Sequence, residues 1–278
     1  MIPLTATIIT FNEESNLRAC LESVRWIPNI VVLDSGSTDA TVAIAREYTS
    51  RVYVKDWPGH VEQKNRAVAL APTEWIFSLD ADERCTAELR AEIERVLATE
   101  PTIGGYSVRR KTRYLQQWIL HGGWYPDRKV RLFDRRRARW GGVNPHDHVQ
   151  VDGAAADLDA DLLHYTYRDI FHHLQVIDFF TDIAAREKEV AGKRLAVFGM
   201  LVRPPFKFAK MYFFKRGYRD GLAGFIVATL GALYVFLKDV KLWERRLLRR
   251  RGLNPDAMPR YYRGPEWRAP RVRPAEEP

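Results

Sequence analysis

The sequence predicts an α/β protein with a doubly wound, mostly parallel sheet, followed by an apolar and basic helical extension. Short β-rich runs alternate with helical patterns over roughly the first 100 residues, which is typical of a parallel sheet. Three polar clusters follow predicted strands, at 12–14, 34–39 and 80–83. The C-terminal part is rich in aromatic and basic residues. A ligand site is therefore expected at the carboxyl ends of the strands.

The elements of the first half follow in order from their apolar patterns. Strands are expected at 4–11, 29–33, 51–54 and 74–79, because these runs are rich in β-branched and aromatic residues. Helices are expected after the first two strands and at 61–70, with Asn12 as the N-cap of the first. A longer helix is predicted from about Tyr167 to Val190.

Charge and cysteine content limit the classes of protein. Residues 198–278 contain 18 lysines and arginines and 7 acidic residues, whereas the rest of the chain contains 26 lysines and arginines and 28 acidic residues. Basicity is therefore a property of the tail, which favours an anionic partner. Only Cys20 and Cys85 are present, so a reducing compartment fits best. Because the N-terminus lacks the pattern of a signal peptide, we expect the protein on the cytoplasmic side.

The pair Asp80 and Asp82 directly follows the apolar run that ends the fourth strand. Alternation along a strand would place both carboxylates on one side, with Ala81 facing away. Two carboxylates favour Mg²⁺ or Mn²⁺ over zinc. The alternative is an acidic turn before a helix capped by Thr86.

Two further groups are candidates for contacts with a nucleotide-sugar. Asp34, at the end of the second strand, can accept a hydrogen bond from ribose or uracil, or it can simply close an Asx-turn with its neighbours. Lys64, Asn65 and Arg66 are expected either to contact the pyrophosphate and sugar or to form the solvated face of their helix.

Four segments resemble the motifs of family 2 glycosyltransferases, which have the GT-A fold. They are Thr10-Phe11-Asn12-Glu13-Glu14, Asp34-Ser35-Gly36-Ser37-Thr38-Asp39, Gln63-Lys64-Asn65 and Asp80-Ala81-Asp82-Glu83. The resemblance implies a UDP-sugar donor, a Mg²⁺ or Mn²⁺ cofactor and an enzyme that inverts the anomeric carbon. It implies nucleotide-sugar contacts from Thr10, Asn12, Glu14, Asp34 and the turn at Gly36.

Three later segments resemble bacterial lipopolysaccharide core glycosyltransferases more narrowly. They are residues 124–133, Asn144-Pro145-His146-Asp147 and Leu163-His164-Tyr165. A β-1,4-glucosyltransferase acting on inner-core heptose is the commonly assigned member of that subgroup, which implies transfer of glucose to a glycolipid. The chain lacks the Gln-x-x-Arg-Trp motif of processive relatives, which favours transfer of a single sugar. Another cell-surface polysaccharide or lipid-linked glycan is the alternative acceptor.

Displacement of UDP by an acceptor hydroxyl requires a general base. The subgroup usually shows His-Glu where this chain has His146-Asp147, so Asp147 is the first candidate, although its carboxylate is one methylene shorter. Glu83 is the second candidate. A structural role for Asp147, in which it caps a loop through backbone amides, is the alternative.

Several other side chains near these motifs are ambiguous from sequence alone. His146 and His148 lack a third nitrogen or sulfur ligand nearby, which argues against zinc, and one of them is expected near the diphosphate or the cation. His164 is as well explained as a hydrogen-bonded core histidine. Arg128 and Arg131 are candidates for acidic acceptor groups. Trp124 and Tyr125 form either a stacking platform for a sugar or part of the core.

The composition divides the chain into three parts. Residues 1–195 are expected to form the catalytic domain, with a nucleotide-binding half at 1–100 and an acceptor-binding half at 101–195. Residues 196–252 are expected to form a helical region that associates with the anionic membrane surface, and 253–278 a flexible tail. The uncharged run Gly221–Leu237 is 17 residues long, roughly 25 Å as a helix against about 30 Å of hydrocarbon. This length argues against a membrane span. The aromatic residues at 206–214, interleaved with Lys207, Lys210 and Lys215, favour a peripheral anchor over a buried helical hairpin.

Two other classes compete with this interpretation. A non-catalytic protein whose basic tail grips nucleic acid leaves Asp34 and the Asp80–Asp82 pair unexplained, so no nucleic-acid partner is expected. A nucleotidyltransferase would normally carry a glycine-rich, basic loop after the first strand. Phe11-Asn12-Glu13-Glu14 occupies that place and argues against it.

Overall fold

The structure is a computed structural model that describes residues 3–99, 101–143, 146–193 and 197–257, with only the backbone of Val143 and His146. The chain forms two compact units. The first, which we call the sheet unit, comprises the described residues up to Lys111 together with Pro126–Tyr165. The second, the helical unit, comprises Thr112–Tyr125 and the described residues from Thr166 onward. The predicted functional boundary at residue 195 stays a prediction.

The first half of the sheet unit is a parallel α/β arrangement, as predicted. Its elements are β1 (Leu4–Thr10), α1 (Glu14–Ser23), β2 (Asn29–Asp34), α2 (Thr41–Arg46), β3 (Val52–Val54), α3 (His60–Ala69) and β4 (Trp75–Asp80). The strands lie in the order β3-β2-β1-β4, with parallel pairing throughout. Thr10 pairs with Asp34 and Ile9 with Asp80. The three polar clusters therefore begin at one edge of the sheet.

The second half of the sheet unit adds antiparallel strands. Its elements are β5 (Glu83–Cys85), α4 (Ala87–Leu97), β6 (Gly105–Tyr114), β8 (Asp127–Asp134), β9 (Ala138–Val143), β10 (His146–Val151) and β11 (Ala155–His164). The sheet continues from β4 in the order β8-β6-β11-β5. β9 and β10 form a separate antiparallel hairpin. The last residues of β6 belong to the helical unit, where they pair with β7 (Gln117–Trp118).

Both faces of the sheet are covered by apolar side chains. Trp75, Phe77 and Leu79 of β4 pack into one core with α1 and α4. Ile76, between them, packs into a second core with Val68 of α3 and with residues of β8, β9 and β10. This alternation follows from the period of two along a strand. It explains why β4 begins with three consecutive apolar residues rather than an alternating pattern.

The predicted N-cap of α1 is wrong, whereas that of α4 is confirmed. Helix α1 begins at Glu14, and its N-cap residue, Glu13, makes no side-chain cap hydrogen bond. Asn12 has a φ of 53° and accepts a hydrogen bond from Thr38 N at 2.9 Å instead. A contact with the neighbouring loop has replaced the local cap. In α4, Thr86 Oγ1 accepts from Leu89 N, as expected of an N-cap.

The helical unit consists mainly of three helices. They are α5 (Ile170–Val190), α6 (Val197–Ala209) and α7 (Gly221–Arg250), with a π-helical turn at Lys210–Phe214 and a 3₁₀ turn at Gly217–Asp220. The predicted helix ending at Val190 is confirmed, although its apolar stripe is not wholly core, because Phe171 and Leu174 are exposed. Most of the predicted flexible tail, 258–278, lies outside the described residues.

Two buried aspartates hold α7 among its neighbours. Asp220, just before the helix, pairs with His121 Nδ1 at 2.8 Å and accepts from His121 N. Asp239, within the helix and 2% exposed, pairs with Lys188 of α5 and with Arg203 of α6. The segment Gly217–Arg250 is long and apolar enough to cross a membrane by composition, and 22% of its most apolar window is buried.

Candidate active site

The loops after β1 and β2 are tied together by hydrogen bonds. Asn12 N donates to Ser37 Oγ at 2.8 Å, and Glu14 Oε2 accepts from Ala40 N at 2.9 Å. The first two polar clusters therefore form one surface, as expected from adjacent parallel strands. The Thr10 hydroxyl is buried beside them and has no hydrogen-bond partner within the described part of the chain.

Asp34 closes the turn that follows β2. Its side chain is fully buried, and Oδ1 accepts from Gly36 N and Ser37 N at 2.8 Å each, while Oδ2 accepts from the Ser37 hydroxyl. These are the contacts of the Asx-turn alternative. Gly36 has a φ of 90°, a conformation that favours glycine. The contact of Asp34 with a nucleotide stays a prediction.

Lys64 joins two carboxylates that lie far apart in sequence. Its Nζ is 3.0 Å from Asp80 Oδ1 and 2.7 Å from Asp147 Oδ2, and it lies 4.2 Å from the ring centre of Trp140. Lys64 is only 5% exposed, so of the two alternatives for this residue the solvated helix face is wrong, while the contact with pyrophosphate or sugar stays a prediction. Helix α3 thus connects the end of β4 to the hairpin that carries the candidate base.

The neighbours of Lys64 have different surroundings. Asn65 exchanges two hydrogen bonds with the backbone of Trp140, at 3.0 and 3.1 Å, and so holds β9 against α3. Arg66 pairs with Asp56 at the surface. The solvated-face alternative therefore describes Arg66, whereas Asn65 positions the hairpin.

Glu83 is the buried centre of an ion-pair network. Its Oε1 is 2.6 Å from an Arg131 nitrogen and 3.7 Å from an Arg110 nitrogen, and its Oε2 accepts from Asp80 N at 3.0 Å. Arg131 also pairs with Asp80 Oδ2 at 2.8 Å. Glu83 is 0% exposed, and both of its oxygens are engaged by Arg131, Arg110 and the amide of Asp80; its role as a base stays a prediction.

The surroundings of Asp80 favour its ionised form. Burial acts to raise its pKa, but the positive charges of Lys64 and Arg131 act in the opposite direction and hold the pKa well below its usual range. Asp80 is therefore ionised at neutral pH, with one oxygen toward each cation.

Asp82 has a separate partner. The prediction that Asp80 and Asp82 bind one cation assumed that both lie on a strand. Strand β4 ends at Asp80, so the alternation of side chains does not extend to Asp82. Asp82 Oδ2 lies 3.2 Å from Nε2 of His164, at the end of β11. Burial acts to raise the pKa of Asp82, but the charge and hydrogen bond of His164 lower it by more. Asp82 is therefore ionised and adjacent to an imidazole nitrogen.

Asp82 Oδ2 and His164 Nε2 would both serve as donor atoms for a divalent cation that took the place of the proton between them. One carboxylate oxygen and one imidazole nitrogen already converge at 3.2 Å. No group of three or more His, Cys, Asp or Glu side chains suited to a metal occurs within the described ranges. Magnesium commonly takes one or two protein ligands and completes its shell with water and substrate phosphates. The arrangement thus suits an ion that arrives with a diphosphate.

A cavity of about 520 Å³, which we call the Lys64 cavity, opens beside these residues. Its walls include Lys64, Asp80, Arg131, Trp140, Asp147 and His148. Asp147 is 12% exposed there and is the candidate base that the sequence identified. The His146 side chain lies outside what the structure describes. Trp140 has no sequence motif of its own and was not anticipated.

The predicted acceptor-binding side chains lie in different places. Arg128 lines the Lys64 cavity and pairs with Asp157 and Asp159 at 3.4 and 3.1 Å. Arg131 forms an ion pair with Glu83 inside the buried network. Trp124 belongs to the helical unit, where it packs against Tyr114 and Tyr167. Trp124 therefore packs as part of a core, which is the second of the two alternatives given for it above.

The family of the chain is shown by comparison with known proteins. The sequence model described as Glycosyl transferase family 2 matches residues 5–155. The chain is 31% identical to the lipopolysaccharide core biosynthesis glycosyltransferase LpsC of Rhizobium meliloti, over 92% of this chain and 98% of that protein. It is 30% identical to an uncharacterized glycosyltransferase of Rickettsia conorii, over 88% and 91% of the two chains. The chain belongs to glycosyl transferase family 2 and is a glycosyltransferase.

Two solved structures are more distantly similar. Glucosyl-3-phosphoglycerate synthase from Mycobacterium tuberculosis, in complex with Mg²⁺ and UDP, is 20% identical with a TM-score of 0.34, over 38% of this chain and 43% of that one. TarS 1–349 of S. aureus, in complex with UDP-GlcNAc, is 12% identical with a TM-score of 0.44, over 90% and 92%.

Proposed function

We propose that this enzyme transfers a single glucose, with inversion, from UDP-glucose to a glycolipid acceptor of the lipopolysaccharide inner core. The observation that carries the proposal is the Lys64 bridge, which brings Asp147 into one cavity with Asp80 of the Asp-x-Asp motif. The naming of LpsC as a lipopolysaccharide core biosynthesis glycosyltransferase supports the acceptor class.

Asp147 is the proposed general base. Inversion requires a base on the face of the sugar opposite the leaving group, and Asp147 is a partly accessible carboxylate of the Lys64 cavity. Lys64 fixes its position from α3. Glu83, the second candidate from the sequence, is proposed as a positioning residue because its carboxylate is fully engaged by arginines and a backbone amide.

The nucleotide is proposed to lie against the joined loops after β1 and β2. These loops present Thr10, Asn12, Glu14 and the turn closed by Asp34 at the carboxyl edge of the parallel strands. The buried hydroxyl of Thr10, which has no hydrogen-bond partner among the described residues, supports this placement, because a buried polar group is normally satisfied by a protein group, a ligand or water.

Asp82 and His164 are proposed to hold the divalent cation. When bound, Mg²⁺ or Mn²⁺ would supply positive charge to stabilise the departing diphosphate. Asp80 is proposed to contact the donor while Lys64 and Arg131 hold it ionised. The two aspartates of the motif thus have separate tasks.

The acceptor is proposed to carry an anionic group. Arg110, Arg128 and Lys129 line the same cavity as Asp147, and arginine binds phosphate and carboxylate well through paired hydrogen bonds. A phosphorylated or carboxylated sugar of the inner core would have that character.

The function is tested by assaying UDP release from a panel of UDP-sugars with a truncated lipopolysaccharide core as acceptor. We expect turnover with UDP-glucose and Mn²⁺, its loss on addition of a chelator, and a core lighter by one hexose in a deletion strain. Turnover that requires a different glycan acceptor, with an unchanged core in the deletion strain, would replace lipopolysaccharide with another cell-surface glycan.

We further propose that the helical unit lies in the cytoplasmic surface of the inner membrane without crossing it. Helix α6 contains no buried residue. Exposed apolar side chains occur along α6 and the π-helical turn: Val197, Phe198, Leu201, Phe206, Phe213 and Phe214. Asp239, paired with Lys188 and Arg203 inside the unit, would lie within a spanning α7, which is costly. An interfacial arrangement avoids that cost.

Substitution of Phe198 and Phe206 by glutamate is expected to move the protein from vesicles of anionic phospholipid into solution. These side chains are 78% and 63% exposed, so the fold should tolerate the change while the apolar surface is lost. Flotation with vesicles measures the effect. Val190→Glu, at an 84% exposed position at the end of α5, is the control. Unchanged flotation of the double variant would contradict the interfacial placement.

A further inference from the structure

The helical unit contains an apolar cavity that the proposed reaction does not use. It has a volume of about 210 Å³ and lies among residues of α5, the α6 region and α7, including Val176, Ile177, Val227 and Leu230. An engineered apolar cavity of about 150 Å³ holds one benzene molecule. The cavity therefore has room for a hydrocarbon segment of roughly six to eight carbon atoms.

One charged side chain, Lys207, lines this cavity. The other ionisable lining groups are tyrosines and His173. His173 Nδ1 lies 2.9 Å from the Tyr114 hydroxyl and its ring stacks on Tyr167. Burial lowers the pKa of His173 to about 4, so its ring is neutral at pH 7. Lys207 is thus the charged group of an otherwise apolar pocket.

Lys207 belongs to a group of lysines that form no ion pair with another described residue. The group, which we call the lysine cluster, comprises Lys207, Lys210, Lys215 and Lys238. Within the described segments none of the four forms an ion pair. Burial lowers the pKa of Lys207, and the charges of Lys210 and Lys215 lower it further. Burial and the charge of Lys188 lower the pKa of Lys238, with smaller contributions from Arg203 and Lys207, while its acidic neighbour Asp239 acts in the opposite direction.

Such a cluster is unfavourable unless an anion joins it. Like charges held together beside a partly desolvated ammonium repel one another, and an anionic oxygen would form charge-assisted hydrogen bonds with them. The adjoining surface is apolar, because Phe206, Phe213 and Phe214 are exposed. A ligand that satisfies both features carries a negative charge at one end and hydrocarbon at the other.

We propose that the helical unit binds one anionic phospholipid, with its phosphate against the lysine cluster and part of one acyl chain in the apolar cavity. This is a discrete site with one ligand per protein, in contrast to the diffuse attraction of a basic tail for a membrane. It ties the enzyme to the surface on which a lipid-linked acceptor would be presented.

The test uses the full-length protein and lipids that are soluble as monomers. Dihexanoyl phosphatidylglycerol is titrated by calorimetry beside dihexanoyl phosphatidylcholine, which has the same chains without net charge, and glycerol phosphate, which has no chains. We expect the first to bind at a ratio of one to one and the other two to bind at least about tenfold more weakly. Equal binding of either comparator, or no binding of the first, would overturn the proposal.

Two pairs of variants locate the site. Lys207→Gln is expected to weaken binding about tenfold or more, whereas Lys193→Gln, which removes the same charge from an exposed position outside the cavity, should not. Val176→Trp fills the cavity from α5 and is expected to weaken binding, whereas Leu174→Trp changes an exposed position of the same helix and should not.

Equal effects within either pair would show that the cavity is not the site. Thermal melting of each variant verifies the fold. Because the titration needs neither donor nor acceptor sugar, its failure would leave the proposed reaction untouched.

Discussion

Asp147→Asn is expected to lower kcat for sugar transfer by about 10²–10⁴, the range associated with loss of a general base. The KM for the UDP-sugar should change little, because Asp147 is proposed to act on the acceptor hydroxyl. Asparagine preserves the size of the side chain and can still accept a hydrogen bond from Lys64. The variant therefore removes the negative charge but keeps a hydrogen bond in place of the 2.7 Å ion pair. Steady-state kinetics with UDP-glucose and the acceptor measure the effect.

Three comparisons separate a catalytic role of Asp147 from a structural one. Asp147→Glu, which restores the His-Glu pattern of the subgroup, should retain activity to within about tenfold of the original enzyme. In Asp147→Ala, added formate should restore part of the rate, since a small carboxylate can replace the missing base. Asp152→Asn, at an exposed position just after β10, should be silent. Full activity of Asp147→Asn would exclude Asp147 as the base.

Asp82→Ala is expected to lower kcat/KM by about 10²–10³, because it removes a proposed ligand of the cation that stabilises developing charge. A readout independent of turnover is the affinity for Mn²⁺ in the presence of UDP, followed by electron paramagnetic resonance. It should fall by at least about 100-fold, since even changes outside the ligand shell cost about 10–100-fold. The fold should survive, because Asp82 lies in a turn and, among the described residues, its side chain pairs with His164 alone.

The pairing of Asp82 with His164 allows a stricter test. If both side chains bind the same ion, His164→Ala should also weaken Mn²⁺ binding. The double variant should then lose less free energy of Mn²⁺ binding than the sum of the losses in the two single variants. Asp56→Ala, which changes a 77% exposed carboxylate that pairs with Arg66, is the control. An unaltered Mn²⁺ affinity in Asp82→Ala would show that Asp82 is not a ligand of the metal.

Much of the fold was predictable because it depends on local patterns. The β-rich runs, the helices at His60–Ala69 and Ile170–Val190 and the three polar clusters at one edge follow from apolar periodicity and from the geometry of parallel strands. The failed N-cap at Asn12 shows the limit of this reasoning. Its side chain has the right chemistry for a local cap, but a backbone amide of the next loop, at Thr38, is its partner.

The candidate site was predictable in its residue types and less so in its contacts. Asp147, Lys64, Asp80 and Asp82 were all identified from motifs. The bridge through Lys64 was not, because it requires α3, β4 and β10 to meet. His164 and Trp140 were undervalued for the same reason, since their partners Asp82 and Lys64 come from distant strands and helices.

The amino-acid sequence by itself determined the class of chemistry, since acidic clusters after successive strands of a parallel sheet must lie at a common edge. Only the tertiary structure decided which carboxylates remain available for that chemistry. Glu83 pairs with arginines from β6 and β8, whereas Asp147 pairs directly with Lys64 and lies in the wall of a cavity. The reason is physical: the availability of a carboxylate depends on the cations and amides that surround it, and here those come from elements many residues away.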